Sequence, residues 1–194
     1  MSSTATRAPL EYSPPGRSKR SAGRTIGCAL GAALTLLLAI SILLPSLCRS
    51  SETANRVKCA SNLRQIGQSI QIYAESHGGQ YPDSLATLLL TTDLAAECLV
   101  CPSSNDEKSP GGTPAEQAAN LQSRGHLSYI YLGNALTRTT ATSTTPVAYE
   151  PLTNHEDDGT NILFGDGHVE WFNRPGAAHI IPGLAASAAS KPAN

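Results

Sequence analysis

Asn161-Ile162-Leu163-Phe164-Gly165-Asp166-Gly167-His168-Val169-Glu170-Trp171-Phe172 is the stretch that decides the fold class. Apolar residues alternate on either side of Asp166-Gly167. Asp-Gly is a favoured two-residue hairpin turn, because both central positions of a type I′ turn need φ > 0. The spacing predicts a β-hairpin in which Gly165 faces His168, Phe164 faces Val169 and Ile162 faces Trp171. Facing residues of an antiparallel pair point the same way. Ile162, Phe164, Val169 and Trp171 are therefore expected on one face, with Asn161, His168 and Glu170 on the other.

Working outward, residues 126–132 and 146–150 read as further strands, separated by a Thr-rich linker. Thr113-Pro114-Ala115-Glu116 has capping-box order with Pro at the first helical position, which predicts a helix over residues 115–122. Asp83 reads as the N-cap of a short helix whose Leu85, Leu88 and Leu89 share a face. From Ser51 the pattern is that of an amphipathic helix, with Val57, Ala60, Leu63, Ile66, Ile70 and Tyr73 at steps of three and four. Gly78-Gly79 supplies its stop. Residues 103–112 are loop by composition, and residues 174–194, rich in Ala, Pro, Gly and Ser, read as a disordered tail.

The net charge of −1 hides an asymmetry. Residues 1–24 carry five Lys/Arg against one Glu, while the chain beyond residue 47 carries nine Lys/Arg against fourteen Asp/Glu. Between them, residues 25–47 have no charge. As a helix, 23 residues reach roughly 35 Å, enough for a hydrocarbon core of about 30 Å. The expectation is a basic cytoplasmic tail (1–24), a transmembrane helix (25–47), a translocated domain (50–173) and a tail (174–194). The lysine and arginine bias places the N-terminus in the cytoplasm and the domain in the periplasm or another extracytoplasmic space. A cleaved signal peptide would have a shorter apolar region, of about 7–15 residues. The only basic cluster abuts an apolar segment, which argues against a nucleic-acid face.

Arg56-Val57-Lys58-Cys59-Ala60-Ser61-Asn62-Leu63-Arg64-Gln65-Ile66-Gly67, followed by Tyr73-Ala74 and Tyr81-Pro82, resembles the stalk-helix segment of bacterial pilin-like proteins. These are relatives of the type II secretion pseudopilins whose C-terminal signature is written H-x9-DG. Cys101-Pro102-Ser103, residues 128–133 and residues 161–168 fit the same group, so the resemblance spans most of residues 55–172. It implies a pilin-like α+β fold, in which a transmembrane helix and long stalk helix lean on a small antiparallel sheet. It also implies a structural or assembly role in secretion or the cell envelope, without catalysis. The partners implied are the lipid bilayer and other envelope or pilin-like proteins. Two departures stand out. Ten residues, not nine, separate His155 from Asp166. The prepilin cleavage pattern is also missing, since Gly23 precedes Arg24 and residue 28 is Cys where the pattern has Glu. A permanently anchored relative is the expectation.

Cys59, Cys98 and Cys101 would then lie in an oxidising compartment where disulfides persist. Cys98 and Cys101 have redox spacing, but no βαβ setting surrounds them. Two pairings stay open: a local Cys98–Cys101 bridge, and a Cys59–Cys101 staple, for which the family pattern contains both positions. Three cysteines without a well-spaced histidine argue against zinc. His155-Glu156-Asp157-Asp158-Gly159, with Asp166 and His168, offers hard oxygens suited to calcium, but reads more simply as a solvated acidic turn. Tyr129, Tyr131 and Tyr149 read as sheet residues. With no G-x-S-x-G elbow and no paired-histidine motif, no catalytic, cofactor-binding or metal-ligating residue is assigned. The alternative function is an anchored binding module for a divalent metal or an envelope glycan.

Overall fold

The structure is a computed structural model and describes residues 22–181 and Leu184. The chain divides into two compact units, Met1–Ser46 and Leu47–Asn194. The helix α1 (Ala22–Ser76) contributes to both. The second unit continues with α2 (Leu85–Thr91), a 3₁₀ turn at Ala96–Leu99 and α3 (Pro114–Asn120). Strands β1 (Ile130–Tyr131) and β2 (Pro146–Tyr149) follow, then a second 3₁₀ turn at Leu152–His155. Strands β3 (Gly159–Phe164) and β4 (Val169–Asn173) and helix α4 (Arg174–Ile180) complete it. The four strands form an antiparallel meander in the order β1-β2-β3-β4. The α+β class expected from the sequence is what this unit shows.

The membrane expectation is corrected. Among the described residues, no helix is long and apolar enough to cross a membrane. Spanning a hydrocarbon core of about 30 Å takes roughly 20 consecutive, predominantly apolar helical residues, and the described residues do not supply such a helix. The single-pass topology at 25–47 and the cytoplasmic-membrane localisation go with it. Residues 1–21 of the basic tail lie outside the described residues.

The β3–β4 hairpin exists, but its register differs by one residue from the expected one. Leu163 faces Val169, Ile162 faces Glu170 and Asn161 faces Trp171. The Phe164 N–H donates to the His168 carbonyl at 3.0 Å, and the Gly167 N–H to the Phe164 carbonyl at 2.9 Å. These bonds close a three-residue loop in which only Gly167 (φ 91°) is left-handed, a connection in which glycine supplies the one αL position. A one-residue slip moves every side chain of one strand to the opposite face. Leu163 and Val169 consequently pack with α1, while Ile162, Phe164 and Phe172 pack with α4.

That split explains why every residue of β3 is buried: both faces of the sheet are covered. One core joins Cys59, Leu63, Ile66, Ile70 and Ala74 of α1 to Leu85, Leu88, Leu99, Tyr129, Ala148 and Leu163. The close approach is made at Gly67, where an added Cβ would sit 2.8 Å from Leu163 Cδ1. On α1 the buried line differs at its start from the expected stripe, because Val57 is 64% exposed and Cys59 is fully buried. The second core gathers Tyr149, Leu152, Ile162, Phe164, Ala177, Ile181 and Leu184.

The C-terminal expectation is corrected in part. Residues 174–180 are helical: Pro175 lies in the first turn, where it is tolerated, and the Asn173 side chain caps by accepting from the Gly176 N–H at 3.0 Å. The remainder beyond Leu184 lies outside the described residues. The capping box at Thr113 and Glu116 is present as expected. At α2 the N-cap is Ser84 and not Asp83, while Leu85, Leu88 and Leu89 are buried as the pattern predicts.

Candidate functional site: a buried cysteine, histidine and carboxylate cluster

Glu52, Arg56, Cys59 and Leu63 follow one another on α1 at steps of four, three and four, so they share a helix face. That face meets Glu150, directly after β2, and His155, at the end of the second 3₁₀ turn. Cys101 enters from the loop after the first 3₁₀ turn. The sulfurs of Cys59 and Cys101, a carboxylate oxygen of Glu150 and a ring nitrogen of His155 lie within 4.8 Å of one another, and all four residues are buried.

Neighbours orient the two polar members. His155 Nδ1 is 2.6 Å from Glu52 Oε1, which leaves Nε2 facing Cys101 Sγ at 3.7 Å and Glu150 Oε2 at 2.5 Å. Asn161 Nδ2 donates to Glu150 Oε1 at 3.1 Å and also to the Arg56 carbonyl at 3.1 Å. Glu150 Oε2, although close to the imidazole, makes no hydrogen bond of sound geometry, and the buried Tyr129 hydroxyl has no hydrogen-bond partner. Glu52 is held in turn by Ser103 Oγ at 2.8 Å and by Arg56 Nε at 3.3 Å. Trp171 covers the imidazole edge-on, and the Arg56 guanidinium lies 4.3 Å above the indole.

The electrostatics follow from this packing. Cys101 is drawn down to about 6 by a hydrogen bond from the Cys59 thiol, against burial and with help from His155. Donating that bond, together with burial, pushes Cys59 far above the ordinary thiol range. Burial pulls His155 down, but its close contacts with Cys101, Glu150 and Glu52 outweigh it and lift the imidazole to about 10. Burial raises Glu52, and the bonds from His155, Ser103 and Arg56 overcome it, holding the carboxyl below its usual range. The packing thus favours a Cys101 thiolate and a Glu52 carboxylate beside a His155 imidazolium.

The structure holds Cys59, Cys98 and Cys101 as free, buried thiols. It brings Cys59 and Cys101 together and sends Cys98 elsewhere, to donate to Gln65 Oε1 at 3.2 Å. The Cys98–Cys101 spacing therefore does not make a local pair.

The acidic turn is divided. His155 points inward, Asp158 pairs with Arg56 at 2.6 Å, and Asp166 binds the His168 ring at 2.5 Å. Among the described residues, the turn's carboxylates do not converge on one another as a ligand set. From the sequence Glu150 reads only as the end of a strand, and its immediate neighbours do not single out Glu52. The available signal was the i, i+4, i+7 spacing of Glu52, Arg56 and Cys59, which extends the line of Leu63 and Ile66 one turn further back than Val57 does.

A long helix packed on a four-stranded antiparallel meander, with a polar cluster buried between them, defines an α+β domain. Searches found no matching family model, no matching curated protein and no matching solved structure.

Proposed function

We propose that the chain is a structural subunit, pilin-like in organisation, that assembles with copies of itself through the apolar segment of α1. The observation that carries this reading is the exposure of Leu30, Leu34, Leu36, Leu37, Leu38 and Ile40, each between 42% and 66%. At 100° per residue these side chains span an arc of about 200° of the helix surface, and an apolar face that broad is one a helix buries against a neighbour. Even the local polar group is satisfied within the helix, since the Thr35 hydroxyl donates to the carbonyls of Gly31 and Ala32. An exposed apolar surface of this extent marks an association site. The resemblance of residues 55–172 to pilin-like proteins supports the same reading and gives the class of assembly, secretion-type.

Light scattering on the purified full-length chain across a concentration series tests it. Concentration-dependent association, abolished by Leu34→Glu with Leu37→Glu, is expected. A monomer at every concentration, or a double variant that associates as the parent does, would overturn the proposal.

A further inference from the structure

We propose that Cys59, Cys101, Glu150 and His155 form a closed, structural site for one thiophilic divalent transition-metal ion, zinc first among them. The inference is independent of how the chain assembles. Four donors, two sulfurs, one imidazole nitrogen and one carboxylate oxygen, already lie within 4.8 Å of one another and are buried. Tetrahedral zinc with ligand bonds of about 2.0–2.3 Å needs ligand atoms about 3.3–3.8 Å apart. The Cys101 Sγ to His155 Nε2 separation of 3.7 Å meets that already. The His155–Glu150 contact at 2.5 Å would have to open by about 1 Å as the ion enters.

The surroundings point the same way. Each two-headed ligand has its outer atom tied and its inner atom turned to the centre. Glu52 accepts from His155 Nδ1, leaving Nε2 inward, and Asn161 holds Glu150 Oε1, leaving Oε2 inward and without a sound hydrogen bond. A carboxylate behind a ligating histidine is the usual second support of a zinc site, fixing the tautomer and orientation. Two sulfur donors select against calcium and magnesium, which take oxygen ligands. On binding, the Cys59 thiol and His155 Nε2 release their protons to solvent, Cys101 enters as the thiolate it already is, and the Nδ1–H stays on the ring, hydrogen-bonded to Glu52. The ligands come from α1, the loop after the first 3₁₀ turn, the end of β2 and the second 3₁₀ turn. One ion would tie these four segments together, as structural zinc does when its binding free energy is folding free energy.

The test is titration of the reduced full-length chain with cobalt(II), followed by thermal unfolding with and without zinc. One equivalent of cobalt is expected to produce a thiolate charge-transfer band with tetrahedral visible bands, displaced by zinc. Zinc is expected to raise the melting temperature by on the order of 10 °C. Cys98→Ser should bind as the parent does, Cys101→Ser should lose the charge-transfer intensity, and Glu52→Gln should weaken binding by about 10–100-fold. No cobalt band with all three thiols demonstrably reduced would overturn the proposal, as would equal loss in Cys98→Ser. So would recovery of the chain from cells with Cys59 and Cys101 already joined as a disulfide. These readings of the parent chain decide the matter even if a ligand variant fails to fold.

Discussion

Trp171 stands edge-on to His155, with ring centroids 5.4 Å apart and the planes at 77°. The indole is in turn capped by Arg56, whose other bonds reach Glu52 and Asp158. This stack closes the outer side of the buried cluster, so Trp171 serves as its lid. Trp171→Ala is expected to cost about 3 kcal/mol, at the lower end for a large aromatic because the ring is only half-buried, while Trp171→Phe should cost less than half of that. Urea unfolding followed by circular dichroism checks it. Equal stability of Trp171→Ala and the parent would remove the lid from the account.

Glu150 and His155 are both fully buried and 2.5 Å apart. Removing one partner leaves the other's charge or polar atoms stranded, a loss of about 3–5 kcal/mol. Glu150→Ala and His155→Ala should each be severe in the metal-free chain, and the double variant should be well short of the sum. A double-mutant cycle measures the difference. Strict additivity would mean the two side chains do not act as a pair.

The buried line of α1 runs through Cys59 and Leu63, not Val57. Leu63→Ala is expected to cost about 2–5 kcal/mol, whereas Val57→Glu should stay within about 0.5 kcal/mol. If Val57→Glu were as disruptive as Leu63→Ala, the helix would be rotated from the position described.

At α3, the exposed Glu116 carboxylate accepts from the backbone N–H groups of Gly112 and Thr113, which holds its pKa below the ordinary value of 4.5. A depressed carboxyl contributes stability that is present above its unfolded pKa and lost as pH falls through the folded one. The amide protons of Gly112 and Thr113 are therefore expected to lose protection from exchange below about pH 4.5, earlier than those of β3. Glu116→Gln should largely remove that pH dependence. Unchanged protection of both amides from pH 6 to pH 3 would contradict the capping box as drawn.

Much of the domain is legible in the residue pattern, and the misses share a cause. Short-range chemistry reads correctly: the Thr113–Glu116 box, the leucines of α2, the Gly78-Gly79 stop and the existence of a hairpin around Asp166-Gly167. The hairpin's register does not, because Asp-Gly serves a two-residue turn and a three-residue loop alike, and alternation over six residues fits both. That single slip placed Trp171 with Ile162 and away from Asn161, and so concealed the cluster. The apolar block at 25–47 reads as a membrane span from its length and lack of charge. The folded chain offers no helix that meets the requirement among its described residues.

By itself, the sequence determined an α+β domain with a long amphipathic helix, a terminal hairpin and capped short helices. Each of these depends on residues within a turn or two of one another. Only the tertiary structure decided that β3 is buried on both faces and that positions 52, 59, 101, 150, 155 and 171 meet. Those residues belong to five separate segments. No local periodicity carries their distances, which are set by the pairing register and by how closely Gly67 lets the helix approach the sheet.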